Sequence, residues 1–435
     1  MDSEALARQV IDKLRGSGHR AYLVGGCVRD LLLGVKPKDF DIATDARPDR
    51  IMDLFPSSGR VGAHFGVILV RDVFDQVEVA TFRSDHDYLD GRHPEHVRFE
   101  SDPREDVLRR DFTINGLMLD PDNDRVLDFV DGQGDLKRGL VRAIGDPYAR
   151  FREDHLRLLR GIRFAARFVF QIEAATFDAI CRDHALILNV AMERVREELV
   201  RILTEGGARR GFELLDATGM LADLLPEVAA MKGVDQPPQY HPEGDVWNHT
   251  LLLLEQLRDP TPTLALGALL HDVGKPPTFR VADRIRFDGH VEEGVRLAHA
   301  ILSRLRFSRE EMEQVEALVE NHMRFKDAGR MKESTLKRFL RLPGFDEHLE
   351  LHRLDVMSSN RNLENYDVAK QKLAEYGEQH LKPEPLVTGA DLIGMGYLPG
   401  PRFSKMLSAV EDAQLEGLIE TRGEAIHLIR DTFPL

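Results

Sequence analysis

Cysteine is scarce in this 435-residue chain, and long hydrophobic runs are missing from it. Cys27 and Cys181 provide neither a disulfide framework nor the paired spacing of a zinc site, which favours a reducing compartment. The longest apolar runs, such as 264–270, fall far short of the ~18 residues that span a bilayer. The first residues lack the basic and then apolar segments of a signal peptide. We therefore expect a cytoplasmic protein without a membrane partner.

An excess of basic residues is also missing. The 59 Lys and Arg against 74 Asp and Glu give a net charge of −15, which argues against a polyanionic partner. Two segments reverse this balance: residues 137–167 hold nine basic and three acidic residues, and residues 324–341 hold seven and two. Such a segment is usually a solvated helix face, so charge alone leaves RNA binding open.

Hydrophobic spacing divides the chain into two regions. Up to about residue 145, a helix with Leu6, Val10 and Leu14 on one face precedes four short apolar strands, predicted at 21–24, 39–43, 67–70 and 77–82. This alternation predicts an α/β domain. From residue 148 onward, helical spacing predominates, for example over 154–170 and 192–203, and predicts an all-α remainder. Pro- and Gly-rich segments at 232–244 and 380–385 are predicted to be linkers.

Residues 22–34 (YLVGGCVRDLLLG) place Gly25 and Gly26 between a strand and a helix, where backbone N–H groups can approach phosphate oxygens. Asp39 and Asp41 follow on a predicted strand and would share one face of it. Glu78 could join them from a neighbouring strand. The three acids are predicted to be catalytic, with Asp39 and Asp41 binding Mg²⁺ for phosphoryl transfer. The alternative is a solvated strand end with incidental acids.

Two further segments carry candidate nucleotide ligands. Arg109 and Arg110 could grip a triphosphate, and Asn115 could bond to sugar or base. Asp154 and Arg157 lie three residues apart at the start of a predicted helix and would share a face. A carboxylate accepts from the exocyclic amino group that C and A both carry, so this pair could read a base edge. The alternative is an ordinary salt bridge between them.

Six ordered motifs (LVGGCVRD, DFDIAT, VEVATFR, RRDFTING, EDHLR and ERVREEL) resemble those of class II tRNA nucleotidyltransferases and bacterial poly(A) polymerases. The resemblance implies a polymerase-beta-like α/β head (1–145), a helical neck (146–232), an HD-type domain (233–365) and a helical, tRNA-binding tail (366–435). It implies nucleotide contacts from Gly25, Gly26, Arg29, Arg109, Arg110, Asp111, Asn115, Asp154, Arg157 and Arg194. Residues 83–99 resemble the flexible loop that helps switch the site from C to A.

A second group of ligands lies in the helical region: His249, His271, Asp272, His290, His322 and Asp355. Their order resembles the HD superfamily of metal-dependent phosphohydrolases, and Lys275 is a candidate phosphate contact. Imidazole and carboxylate suit Mn, Fe, Ni or Zn, and Mg also stays open, because ligand type alone does not choose the metal. The alternative for any single one of these histidines is a core residue whose ring is hydrogen-bonded within the protein.

The resemblance implies addition of CCA to the tRNA 3′ end from CTP and ATP without a nucleic-acid template. Three alternatives stay open. The chain could add only the terminal A and depend on a separate CC-adding enzyme. It could be a poly(A) polymerase, although the acidic C-terminus lacks the basic extension typical of those enzymes. It could also be an HD phosphohydrolase with an RNA-binding head, which the acids at Asp39 and Asp41 argue against.

Overall fold

The computed structural model describes residues 3–62, 66–73, 75–88 and 94–435. The chain folds into two compact units, one comprising Met1–Ala229 with Arg304–Arg306 and the other Ala230–Ser303 with Phe307–Leu435.

A mixed sheet organises the first part of the first unit. The strands of the unit are β1 (Ala21–Val24), β2 (Asp41–Thr44), β3 (Gly59–Gly62), β4 (Val67–Arg71), β5 (Gln76–Thr81), β6 (Arg83–Tyr88), β7 (Pro94–Phe99), β8 (Leu117–Asp120), β9 (Arg125–Asp128), β10 (Leu140–Val141) and β11 (Gln171–Ile172). Seven of them form one sheet in the order β3-β4-β5-β2-β1-β8-β9, in which only β2 and β5 pair in parallel. The separate β6–β7 hairpin lies in the predicted flexible loop, of which residues 89–93 fall outside the described residues.

Helices complete the first unit. They are α1 (Ser3–Gly16), α2 (Gly26–Leu32), α3 (Pro48–Leu54), α4 (Pro103–Leu108), α5 (Gly132–Arg138), α6 (Pro147–Glu153), α7 (Leu156–Arg167), α8 (Ala174–Asp183), α9 (Met192–Thr204), α10 (Ala208–Ala217), α11 (Met220–Leu224) and α12 (Pro226–Ala229). As predicted, α1 buries Leu6, Val10 and Leu14. The sheet packs a core around Phe82 and Met118, and this burial positions the ends of β1 and β2.

Two predicted elements differ from the structure at residues of interest. The strand predicted from Asp39 begins at Asp41, because β1 ends at Val24 and offers no residue to pair with Asp39. The helix predicted from Asp154 begins at Leu156. Asp154 is extended (φ −141°, ψ 107°), and its carboxylate accepts a hydrogen bond from the backbone N–H of Leu156 at 3.1 Å, which favours the break between α6 and α7.

The second unit is mainly helical. Its elements are α13 (Val246–Gln256), α14 (Pro262–Leu270), α15 (Lys275–Thr278), β12 (Arg280–Val281), β13 (Ile285–Arg286), α16 (His290–Arg304), α17 (Arg309–Asn321), α18 (Glu333–Leu340), α19 (Phe345–Ser358), α20 (Glu364–Leu381), α21 (Gly389–Gly394), α22 (Pro401–Leu415) and α23 (Arg422–Thr432). One core cluster centres on Phe325 and Phe339, and another on Leu392 and Met406.

Several basic residues of the 324–341 segment form ion pairs or hydrogen bonds within the protein. Glu411 on α22 pairs with Arg338 at 2.5 Å and with Arg341 at 2.6 Å, and Arg338 also contacts Asp412. Lys337 is buried and donates to the carbonyl oxygen of Leu415 at 2.7 Å. These residues of the 324–341 segment therefore hold α18 against α22.

Candidate active site

A cavity of about 690 Å³ opens in the first unit. Its lining includes all the predicted nucleotide ligands and both predicted metal ligands of the head, namely Gly25, Gly26, Arg29, Asp39, Asp41, Arg109, Arg110, Asp111, Asn115, Asp154, Arg157 and Arg194. Glu78 is not part of the lining. The structure thus brings residues that are more than 150 positions apart in the sequence to one cavity.

Gly25 lets an arginine approach the turn after β1. Its backbone has a φ of 77°, a conformation that favours glycine, and a Cβ there would lie 2.9 Å from Nη1 of Arg110. Asp106 holds Arg110 from the other side at 3.0 Å. The guanidinium therefore lies directly against the Gly25 turn, where a phosphate would meet both.

The carboxylates of Asp39 and Asp41 lie at the start of β2. Asp41 is the first residue of β2 and pairs in register with Glu78 on β5, and Asp39 lies in the bend two residues before Asp41. Burial and the neighbouring Glu78 carboxylate raise the pKa of Asp41 to about 6, against the opposite effect of Arg110. Crowded, partly desolvated carboxylates of this kind are stabilised by a cation.

This donor set fits a magnesium ion that is completed by substrate. Within the described ranges, the head has no three His, Cys, Asp or Glu side chains whose ligand atoms all lie within 4.8 Å of one another. Mg²⁺ is commonly bound through one or two carboxylates together with phosphate oxygens and water. Asp39 and Asp41 match that pattern, since both face the cavity where a triphosphate would supply the other ligands.

Nine side chains join the head to the neck helices in a closed ring of hydrogen bonds and ion pairs. The successive members are Asp111, Arg160, Glu198, Arg163, Glu205, Arg167, Asp30, Arg29 and Asn115, with contacts between 2.5 and 3.8 Å. Three of its arginines also lie 4.3 to 5.3 Å from the ring centroid of Phe164. The ring fixes α7 and α9 against the turn that carries Gly25.

Asp154 and Arg157 both face the cavity, but they do not pair with each other. The Asp154 carboxylate lies 3.1 Å from Nη2 of Arg194. Arg157 pairs with Glu153 at 2.6 Å and donates to the carbonyl oxygen of Arg109 at 3.0 Å. The salt bridge considered between positions 154 and 157 is therefore not formed, and each side chain is oriented by another partner.

Several cavity residues were not predicted as ligands. They are Cys27, Asp30, Lys38, Leu156, Arg160, Arg163, Phe164, Arg167, Arg201 and Glu205. Arg160, Arg163 and Arg167 continue the face of α7 that begins at Arg157, so helical spacing from Arg157 would have found them. Arg201 lies seven residues after Arg194 on α9, so helical spacing from Arg194 would have found it as well, whereas Lys38 carries no comparable signal.

The second unit assembles the predicted HD ligands. Their ligand atoms form two groups, His249 with His271 and Asp355, and Asp272 with His290 and His322. In each group these atoms all lie within 4.8 Å of one another. The ligands come from α13, α16, α19 and the residues that follow α14 and α17, and three helices and two further segments therefore converge on one point.

The ring nitrogens of these histidines are arranged for metal binding. Nδ1 of His290 and of His322 bonds to the carbonyl oxygens of Phe287 and Val319, at 2.9 and 2.6 Å. A carbonyl only accepts, so Nδ1 carries the proton and Nε2 keeps its lone pair. Both Nε2 atoms are buried and have no hydrogen-bond partner in the described chain. Such orphaned acceptors fit a divalent metal ion.

Charges around this cluster are strongly coupled. Burial would raise the pKa of Asp272, but Lys275, whose Nζ lies 2.7 Å away, and His271 hold it well below its ordinary value. Burial would lower the pKa of His249, but Asp355 and Glu243 raise it to about 9. A metal ion at His249 would therefore replace a proton.

Among the described residues, no helix has both the length and the apolar composition that crossing a membrane requires.

Three family models match the chain. Residues 21–142 match the poly A polymerase head domain, residues 169–232 the probable RNA and SrmB-binding site of polymerase A, and residues 245–359 the HD domain. These matches confirm the predicted fold class, a nucleotidyltransferase-type head followed by helical segments that include an HD domain.

The curated proteins similar to this chain include CCA-adding enzymes. That of Lactobacillus johnsonii is 36% identical over 264 residues, which cover 59% of this chain and 65% of the relative. That of Lactococcus lactis is 43% identical over 233 residues, which cover 52% of this chain and 58% of the relative. The matched region thus spans between half and two thirds of the relatives' length.

Solved structures match over nearly the full chain. The Bacillus stearothermophilus CCA-adding enzyme in complex with CTP superposes with a TM-score of 0.78 at 25% identity, covering 99% of this chain and 98% of that one. The Thermotoga maritima CCA-adding enzyme complexed with tRNA superposes with a TM-score of 0.61 at 20% identity, covering 99% and 96%. The second match bears on the fold alone.

Proposed function

We propose that the protein is a nucleotidyltransferase that adds C and A, from CTP and ATP, to the 3′ end of tRNA without a nucleic-acid template. One observation carries the proposal: a single cavity holds the Gly25 turn, the Asp39 and Asp41 carboxylates, and the Asp154 carboxylate. The residues proposed to bind phosphate, metal and base thus lie in one cavity. The CCA-adding relatives support the same activity.

In the proposed reaction, the 3′-oxygen of the RNA bonds to the α-phosphorus of the nucleotide, and the bond to the β-phosphate oxygen breaks to release pyrophosphate. Mg²⁺ held by Asp39 and Asp41 would supply charge neutralisation and activation of the hydroxyl. Gly25 and Gly26 admit the triphosphate to the backbone. Arg110, held by Asp106, and Arg29, held by Asp30, orient it. Positioning and preorganised charge provide most of the rate acceleration.

Base selection is proposed to come from Asp154 and Arg157. The Asp154 carboxylate accepts from the exocyclic amino group of C or A, whereas U and G present a carbonyl oxygen at that position. Arg157 donates to a ring nitrogen or carbonyl oxygen. Because Arg194 and Glu153 already hold the two side chains, their donors and acceptors are aimed before the nucleotide arrives.

Full CCA synthesis is favoured over addition of the terminal A alone, because CCA-adding enzymes are among the curated relatives of this chain. A poly(A) polymerase shares the head, so the head by itself does not separate the two activities. We further propose the four-part division at residues 145, 232 and 365, a cytoplasmic location, and Glu78 as an acid that acts beside Asp41.

The HD cluster supports a second function, metal-dependent hydrolysis of a phosphate ester. Its orphaned histidine nitrogens would hold a divalent ion such as Mn, Ni, Fe or Mg. The adjoining cavity of about 640 Å³ is also lined by Lys275 and Lys326, which could contact phosphate. The bound metal would lower the pKa of a water molecule for attack.

The deciding experiment supplies labelled CTP or ATP with Mg²⁺ to tRNA transcripts that end at the discriminator base, after the first C, or after CC. C entering the first two transcripts and A completing the third supports CCA addition. ATP entering only after CC identifies A addition. Long A tails identify a poly(A) polymerase. No incorporation would overturn the transferase proposal and leave the HD site as the centre of activity.

A further inference from the structure

One face of α9 lies along the head cavity. Arg194, Glu198 and Arg201 follow each other at helical spacings of four and three, and Glu205 follows four residues later, directly after the helix, so the four lie on this side. Three of them are bound to partners on the adjoining segment: Arg194 to Asp154, and both glutamates to arginines of α7. Arg201 lines the same cavity and is exposed, and it is the member of this face left without an ion pair in the described chain.

The nearby glutamates do not neutralise Arg201. Glu198 and Glu205 lie at the spacings that normally allow a helical salt bridge with Arg201. Both instead point to Arg163, with contacts of 2.6 Å from Glu198 and 3.2 Å from Glu205, and Glu205 also contacts Arg167 at 3.4 Å. Both carboxylates are therefore engaged in the ring of ion pairs, and the charge of Arg201 is available to bind a ligand.

Most other cations of the cavity are neutralised. Ten lysine and arginine side chains line it, and eight have a carboxylate within ion-pair distance: Arg29, Arg109, Arg110, Arg157, Arg160, Arg163, Arg167 and Arg194. Lys38 and Arg201 have none among the residues that the structure describes. Lys38 precedes Asp39, which leaves Arg201 as the free cation away from the proposed metal ligands.

We propose that Arg201 contacts the phosphate backbone of the RNA strand whose 3′ end enters the cavity; this rests on the proposed transferase function. A single nucleotide fits inside the cavity, where Arg29 and Arg157 are 4% and 9% exposed. An RNA strand must extend from the cavity into solvent, so it meets exposed side chains. A free guanidinium there gains charge-assisted bonds to phosphate and releases a counterion from the RNA.

The test compares Arg201→Gln, Arg201→Lys and the control Arg209→Gln, which removes a charge from the exposed Arg209–Glu213 pair on α10. We measure tRNA affinity by fluorescence anisotropy at several salt concentrations, and KM for tRNA and for CTP separately. Arg201→Gln should weaken tRNA binding about five- to tenfold, raise KM for tRNA equally, and leave KM for CTP within about twofold. The slope of log affinity against log salt should fall by about one.

Arg201→Lys should keep the salt slope of the wild type, and Arg209→Gln should match the wild type throughout. The proposal is overturned if Arg201→Gln raises KM for CTP but not for tRNA, if it changes neither, or if the lysine variant binds tRNA as weakly as the glutamine variant. A wild type that binds tRNA without incorporating CTP or ATP would instead contradict the transferase function, because the binding measurement does not depend on catalysis.

Discussion

Asp111 and Arg160 lie 49 residues apart in sequence, and their side chains meet at 2.6 Å. Asp111 is buried, and its other oxygen accepts from the side chain of Asn115 at 3.0 Å and from the backbone N–H of Phe112 at 2.8 Å. Burial would raise the pKa of Asp111, but Arg160 holds it well below its ordinary value. This pair joins the head segment that carries Arg110 to helix α7 of the neck.

Breaking this pair should destabilise the first unit. Asp111→Asn keeps the shape of the side chain but leaves the Arg160 guanidinium without its nearest counter-charge, which costs about 2 kcal/mol for a charged hydrogen-bonded pair that is partly buried. Urea unfolding followed by circular dichroism measures the free energy of unfolding. Asp178→Asn, at an exposed position of α8, should stay within about 0.5 kcal/mol of the wild type. Equal stability of the two variants would show that the pair is not stabilising.

Asp41→Ala should abolish nucleotide incorporation, with a loss of at least about 10³-fold, because it removes one of two carboxylates proposed to hold the metal. The tRNA affinity should stay within about twofold of the wild-type value, because Asp41 is an acid and does not attract phosphate. Asp53→Ala, at an exposed position of α3, is the matched control. Incorporation near the wild-type rate in Asp41→Ala would rule out the metal assignment.

Asp154→Ala should reduce the selectivity among the four nucleotides, and not merely the rate of CTP incorporation. The ratio of kcat/KM for CTP to that for UTP should fall by about tenfold or more, in line with the ~1–3 kcal/mol of a good base contact. Arg194→Gln should act in the same direction but less strongly, because Arg194 orients Asp154 at 3.1 Å. An unchanged ratio in Asp154→Ala would dismiss base reading by this side chain.

The sequence predicted the α/β head and the helical remainder, because alternating and helical hydrophobic spacing encode burial directly. It did not predict the start of β2 or the break at Asp154. Asp39 lies outside β2 because β1 ends early, and the extended backbone of Asp154 depends on a local hydrogen bond that periodicity does not register. The ion pairs that join α7 to Glu198 and Glu205 were not predicted either, because these glutamates contact their arginines only in the folded chain.

Substitution of the HD ligands should remove bound metal. His271→Ala and Asp272→Ala each take a ligand from one of the two groups, so protein purified from manganese-supplemented cells should carry less metal by inductively coupled plasma mass spectrometry. His299→Ala, at an exposed histidine paired with Glu316, should keep the wild-type content. Equal metal content in all four proteins would argue that the histidines serve only packing.

The second unit should lose stability in mild acid through His348 on α19. Burial, with a smaller effect of Arg324, lowers the pKa of His348 to about 4 from its ordinary 6.5. Between these values the unfolded chain binds the proton and the folded chain does not, so stability is complete above pH 6.5 and falls towards pH 4. The loss at pH 5.5 should be about 1 kcal/mol.

His348→Leu removes this proton-binding difference. Its melting temperature should therefore fall less than that of the wild type between pH 7.5 and pH 5.5, as measured by differential scanning calorimetry. His427→Leu, at an exposed position of α23, should follow the wild type. A variant at position 348 with the full wild-type pH dependence would contradict the assignment.

We propose that protein side chains, without a template, choose the nucleotides added to the RNA 3′ end. To test this choice, the wild-type protein is supplied with Mg²⁺, all four nucleotides at equal concentration and a tRNA transcript that ends at the discriminator base, and the product ends are sequenced. We predict C, C and A in that order, with extension stopping after A. Mixed nucleotides at these positions, or continued extension, would contradict nucleotide selection by the protein.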